Sequence, residues 1–458
     1  MDFLDTPDLH PPPAALHDRS NHRAIDDRPR RKALSLPRYR FIAWIASLPK
    51  SAGKRENAFL PLIGRRIALT TSSIDSFGPD ARYGAHIEAK DKRDRLVRAV
   101  GWWLIVCAGL VSVMVVVGGL TRLTGSGLSM VRWEPISGTI PPIGDHAWQI
   151  EFDAYRASPE YRLINRGMSL EDFKGIFWME YAHRLLGRAL GLAFALPFLF
   201  FLVRRAIPPG MILPISGLFV LGAAQGFLGW YMVKSGLVDE PRVSPLRLAA
   251  HLGLAAAILV GLLASGLRIL APQASALSRT RSATPAGTSR GLGFSPGFAP
   301  KTALARRLTI AATVMVFATL IVGAIVAGLD AGLVYPTFPK MGAFWIPPGI
   351  LDLSPWWNNL WENPVAAQFV HRWLAMLTVL SIAGAWVAIV GIEGRRKVRS
   401  MAHACLLMAL LQAGLGISTL LLHVPIAVAA AHQFGAILLL SGLVALIHFL
   451  PGSSEHPA

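Results

Sequence analysis

"MEYAHRLLGRALGLAFALPFLFFLV" (residues 179–203) decides how the chain is read. Its last fifteen residues carry no charge. With the ten before them they are long enough to cross a bilayer as one helix, at ~1.5 Å per residue against a hydrocarbon core of ~30 Å. Yet the same helix opens on Glu180, His183, Arg184 and Arg188. Charged groups at membrane depth are costly and are kept for a task.

The rest of the chain repeats this chemistry. Stretches 99–121, 206–233, 308–329 and 373–392 run without an acidic or basic side chain, and those around 248–267, 400–422 and 424–447 carry only histidine. With 176–203 they make eight candidate spans. Of 458 residues 53% are hydrophobic and 16% charged, against about 25% charged in a soluble domain. The formal charge of +18 does not imply a nucleic-acid partner, because Lys and Arg sit in the N-terminal tail and between spans, where they set topology. Arg204 and Arg205, seven basic residues within 268–307, and Arg395, Arg396, Lys397 and Arg399 all belong on the inside. Both termini are then cytoplasmic, and 122–175, 234–246, 330–364 and 423–427 lie outside. The first and third of these are rich in Trp and Pro, as expected of caps at the membrane interface. Cys107 and Cys405, the two cysteines, fall inside spans, so neither an outer disulfide nor a CxxC metal site is expected.

Residues 1–97 read as a basic, mostly disordered cytoplasmic tail. Asp2, Asp5 and Asp8 argue against a mitochondrial presequence, which is acid-poor. Residues 271–306 include a Ser/Gly/Pro-rich, acid-free stretch and read as a linker. They separate a half at 98–270 from a half at 307–450, with 451–458 a short tail.

The halves align. "VGGLTRLTGSGL" (117–128) lies over "VGAIVAGLDAGL" (322–333), "EYAHR" (180–184) over "QFVHR" (368–372), "QGFLGW" (225–230) over "QAGLGI" (412–417), and "LAAHLG" (248–253) over "AAAHQF" (429–434). Four landmarks in one order indicate a duplicated four-helix unit. An even number of spans per unit makes the repeats parallel about the membrane normal. The fold class is therefore an all-α polytopic membrane protein, eight transmembrane helices in two parallel, pseudo-repeated four-helix bundles.

Each unit repeats two histidines near the outer ends of its second and fourth spans: His183 and His251, then His371 and His432. A single histidine there is more often an interface residue, as read for His403, His423 and His448. A pair that recurs in both halves points to ligation instead. Two imidazoles from facing helices suit the axial positions of a haem iron. Zinc would want further Cys, His or carboxylate ligands, and the second half offers none in register. Arg184 and Arg372 follow the first histidine of each pair; they suit either a haem propionate or a snorkelling position at the interface. Glu180 stands three residues before His183, on the same helix face, where Gln368 precedes His371. Both side chains hydrogen-bond, but only Glu can move a proton. The exchange suggests a reactive first half and an electron-carrying second half, with a plain polar helix cap as the other reading of Glu180.

These residues resemble haem A synthase, a membrane enzyme of cytochrome oxidase biogenesis. The resemblance covers roughly residues 95–450 and rests on "GGLTRLTGSGLSM", "EYAHRLLGR", "QGFLGWYMV", "AAHL", "GLDAGLVYPTFPKM", "QFVHRW" and "AAAHQ". "LSMVRWEPISGTIPP" and "YPTFPKMG" look most like the form in alphaproteobacteria and mitochondria. The outer-loop cysteine pair of some bacterial members has no counterpart here. The resemblance implies oxidation of the C8 methyl group of haem O to a formyl group, giving haem A. It implies that His183 and His251 flank the substrate haem with Glu180 near it, and that His371 and His432 ligate haem b as cofactor. It implies a haem O synthase and an electron donor of unspecified kind as partners; the acidic start of the tail favours a bacterial inner membrane over a mitochondrial one. A homo-oligomer is compatible with it. A diheme electron-transfer cytochrome without its own reaction and a repeat-built transporter are the alternatives.

Overall fold

The computed structural model describes residues 79–134, 137–237, 241–271 and 298–450. Its regular elements are helical: α1 (Pro79–Leu123), α2 (Asp145–Arg156), α3 (Pro159–Leu163), α4 (Leu170–Val203), α5 (Pro209–Gly236), α6 (Pro245–Leu270), α7 (Phe298–Gly328), α8 (Pro364–Val390), α9 (Arg396–Leu421) and α10 (Ile426–Phe449). All of these except α2 and α3 are long and apolar enough to cross a membrane, which makes eight spans among the described residues. The protein is an all-α multi-pass membrane protein.

Local sequence explains where the helices begin. Ser169 caps α4: its hydroxyl accepts from the Asp172 N–H and donates to the Asp172 carboxylate. Asn363 caps α8 by accepting from the N–H groups of Val365 and Ala366, with Pro364 at the first helical position. Pro197 and Pro214 sit inside α4 and α5, a placement that membrane helices tolerate.

One boundary departs from the sequence reading. α1 begins at Pro79, so residues 79–97 are helical and not part of a disordered tail. The "AKDKRDRLVR" segment is rich in helix formers, with opposite charges four apart (Lys90/Asp94, Asp91/Arg95, Asp94/Arg98), which the reading of the tail by its bulk composition overlooked. The rest of that tail, residues 272–297 of the linker and residues 451–458 lie outside the described residues. α7 likewise starts inside the expected linker, at Phe298.

The first and fourth helices of each half, α1, α6, α7 and α10, are the more buried ones. They pack on one another, and α4, α5, α8 and α9 stand outside them. In lipid, helices associate through close packing rather than through hydrophobic exclusion, so small residues mark the seams. Gly101 of α1 lies against Leu270, and Gly266 of α6 lies against Ile105 and the Gly101 carbonyl. Leu104, Leu259, Leu262, Ile437, Leu440 and Leu443 fill the core between these helices. Leu196, Val203, Leu213, Leu380 and Leu407 are exposed, as expected of side chains that face lipid. At the junction of the halves Arg122 donates to the Ala327 carbonyl and to Asp330, each at 2.6 Å.

α2, α3 and the first turns of α4 form an aromatic cap of Trp148, Phe152, Tyr155, Phe173, Phe177 and Tyr181. Inside it Tyr155 donates to Glu160 at 3.1 Å and accepts from Asn165 at 2.7 Å. Glu160 is 6% exposed. Burial raises its carboxyl to about 7, the Tyr155 hydrogen bond opposing and the Glu180 charge adding. Because the folded value lies above the unfolded one, the cap is most stable below about pH 4.5 and loses that stability as pH rises through about 7. Proteolysis within 145–168 is therefore expected to speed up between about pH 4.5 and about pH 7, and Glu160→Gln is expected to flatten that slope. An unchanged slope in the variant would remove Glu160 as its cause.

Candidate haem-binding sites

The four repeated histidines lie in the N-terminal halves of α4, α6, α8 and α10. Each imidazole is seated against a glycine of the preceding helix. A methyl group built on Gly118 of α1 would stand 2.9 Å from Cε1 of His183, and one on Gly229 of α5 would stand 3.0 Å from Cε1 of His251. In the second half Gly323 of α7 and Gly416 of α9 hold the same places against His371 and His432, at 3.0 and 2.7 Å. No larger residue fits at these four points without moving a ring, so the glycines set where the imidazoles stand. They are aligned positions of the repeat: Gly118 with Gly323, and Gly229 with Gly416.

A glutamine steadies the second imidazole of each pair. The Gln225 amide donates to the His251 carbonyl at 3.0 Å and lies 3.3 Å from the ring. The Gln412 amide donates to the His432 carbonyl at 2.7 Å and lies 3.1 Å from Nδ1. Nδ1 of His183, of His251 and of His371 is buried without a hydrogen-bond partner. Buried polar groups are nearly always partnered, so such atoms mark a site that expects a ligand.

That donor set fits haem. It offers two imidazoles from facing helices in apolar surroundings, once per half. It does not fit a tetrahedral metal centre, since among the described residues no three His, Cys, Asp or Glu side chains are grouped to hold an ion. Cys107 and Cys405 are buried as free thiols away from such a role. His403 accepts from the Trp386 indole N–H at 2.9 Å, outside the repeated pattern.

Glu180 and the two arginines do more than the sequence suggested. Glu180 is 2% exposed. Its Oε2 accepts from the Ser129 hydroxyl at 2.7 Å and the Met130 N–H at 2.8 Å, and its Oε1 accepts from Arg184 at 2.5 and 3.0 Å. Arg184 donates further to the carbonyls of Met130 and Arg132, at 2.9 and 3.2 Å. Carboxylate and guanidinium together clamp the loop after α1 onto the histidine end of α4. In the second half Arg372 donates to the carbonyls of Tyr335 and Thr337, each at 2.6 Å, and Gln368 donates to Tyr335 at 3.2 Å. Met130 and Arg132 stand in the same register to Tyr335 and Thr337 as the aligned glycines do. The second half keeps the clamp without a carboxylate, and it leaves the buried Oε1 of Gln368 and Nε of Arg372 unpartnered. The sequence carried a signal for both the clamp and the glycine seats, namely the aligned loops and glycines, but it could not say what they touch.

Residues 101–444 match the family model for the cytochrome oxidase assembly protein family COX15-CtaA, well over half of the chain. The chain belongs to the COX15-CtaA family. Among its relatives, the Heme A synthase of Nitrosomonas eutropha is 43% identical over 76% of this chain and 93% of its own length. The Heme A synthase of Paramagnetospirillum magneticum is 44% identical over 83% and 99%. The mouse protein named Heme A synthase COX15 is 43% identical over 77% and 82%. The COX15-CtaA match takes in both histidine pairs, Glu180 and Gln368, and it begins beyond the N-terminal tail.

Proposed function

We propose that the chain is a haem A synthase that oxidises the C8 methyl group of haem O to a formyl group. Membership of the COX15-CtaA family and relatives named for this activity support the reading. The observation that carries it is the asymmetry of two otherwise matching sites. Each has a glycine-seated histidine pair, but Glu180 stands beside one and Gln368 beside the other.

In this reading His183 and His251 hold the substrate haem O, and His371 and His432 hold a haem b cofactor. The haems supply the redox chemistry. The chain fixes the orientation of the rings through Gly118 and Gly229, keeps water from the site, and places the Glu180 carboxyl within the first half as the group that can take or give a proton. Arg372 has its Nε free for a propionate, and Arg184 meets one with donors that it shares with the loop. The basic clusters support an orientation with both termini cytoplasmic and the histidine ends of the helices on the outer side of a bacterial inner membrane. A haem O synthase supplies the substrate, and a separate reductant supplies electrons to haem b.

A strain that lacks its own haem A-forming enzyme tests the reading. Expression of the chain is expected to restore haem A, and an inserted protein that restores none would contradict it. The same assay checks the tail. Deletion of residues 2–78 keeps α1 whole and is expected to leave complementation intact, because the family match begins at residue 101. A stable, inserted but inactive truncation would assign the tail a role in activity.

A further inference from the structure

α10 does not pack only within its own half. The residue after His432 is Gln433, and its amide donates to the Val115 carbonyl of α1 at 2.8 Å. The same amide fills the space beside Gly119, where a Cβ would collide with it. Gly119 adjoins Gly118, the glycine that seats His183. A short chain of contacts therefore runs from one site to the other: His432, the Gln433 backbone and side chain, the Val115–Gly119 turn of α1, Gly118 and the His183 ring. Every step is a covalent bond or a hydrogen bond except the last, which is a van der Waals contact.

The counterpart path is different. Leu252 follows His251 at the position aligned with Gln433, and Ala324 stands where α1 has Gly119. Leu252 packs with Ile321, Ala324 and Ile325 in an apolar cluster. The same crossing between the halves is thus polar and bonded on one side and purely apolar on the other. A polar amide at membrane depth needs a reason, since a leucine serves the aligned position without one. Electronic coupling also falls off more slowly through bonds and hydrogen bonds than across van der Waals gaps.

We infer that Gln433 is a positioning residue whose hydrogen bond to α1 couples the two haem sites for electron transfer from the second half to the first. The inference rests on the haem reading above. With haems bound, one electron crossing would oxidise the iron at the His371–His432 site from ferrous to ferric and reduce the iron at the His183–His251 site from ferric to ferrous.

The test uses the purified full chain holding haem b together with haem A, whose formyl group separates the two absorption spectra. A light-triggered ruthenium reductant delivers one electron, and the transfer from haem b to the other haem is timed. Gln433→Leu, which copies Leu252, is expected to keep both haems and the haem b spectrum while slowing that transfer by an order of magnitude or more. Gly119→Ala, which displaces the amide without altering Gln433, is expected to do the same. Unchanged transfer in either variant with both haems present would overturn the inference. So would loss of haem b from both, since Gln433 would then only build the His432 site. If the unmodified protein forms no haem A, the haem A synthase reading fails, and this inference falls with it. Failure confined to the variants leaves that reading standing.

Discussion

Glu180→Gln is expected to give a protein that inserts normally, keeps its haem b and makes almost no haem A, with haem O or a partly oxidised haem building up on it. Removing one positioned acid–base group slows a reaction by about 10²–10⁴-fold. The substitution preserves shape, and the second half shows that the scaffold accepts it. There a glutamine in the aligned place still joins the arginine in holding the loop, through carbonyls alone. The introduced amide would keep an acceptor for Ser129 or Met130 but lose the charge that faces Arg184. Taking one partner from a buried ion pair costs about 3–5 kcal/mol when the other is left uncompensated. Arg184 has two further carbonyl partners, so the cost here falls below that range. Haems extracted from the purified variant decide the matter. Near-normal haem A would reduce Glu180 to a clamp on the loop. Joint loss of haem A and haem b would make it structural and end the proposed division between the halves.

His432→Ala is expected to strip most of the haem b while the protein still accumulates in the membrane, and haem A formation is expected to stop with it. His432 is seated by Gly416 and held at its carbonyl by Gln412, so alanine removes the ring without disturbing the helix hydrogen bonds around it. The neighbouring Gln433 contact to α1 remains. Haem content per protein, read from the reduced spectrum and from extraction, measures the effect. Unchanged haem b would refute ligation by His432. Loss of haem b with undiminished haem A formation would refute the electron-carrying role of the second half.

Much of this was legible in the residues. Long charge-free runs located the eight spans, because a bilayer tolerates little else, and aligned landmarks picked out four histidines from thirteen. What stayed hidden depends on side chains that meet across elements. Glu180 and Arg184 read as haem-facing groups, but their first partners are Ser129, Met130 and Arg132, some fifty positions earlier in a loop of no regular pattern. The Arg122–Asp330 pair and the Gln433–Val115 contact join the halves at long range, and no local periodicity announces them. The start of α1 at Pro79 was missed for the opposite reason. Its charged first turns resemble the tail in composition, and the regular spacing of their charges was the only sign of a helix.

The central claim is that one half of this duplicated bundle oxidises haem O while the other keeps haem b. Chromatography of the haems extracted from the purified full chain tests it most directly, after production with a source of haem O in a host that makes no haem A of its own. The account predicts haem A and haem b in comparable amounts, with residual haem O. Haem b alone, filling both sites with no trace of haem O or haem A, would contradict it and leave a diheme electron carrier in its place.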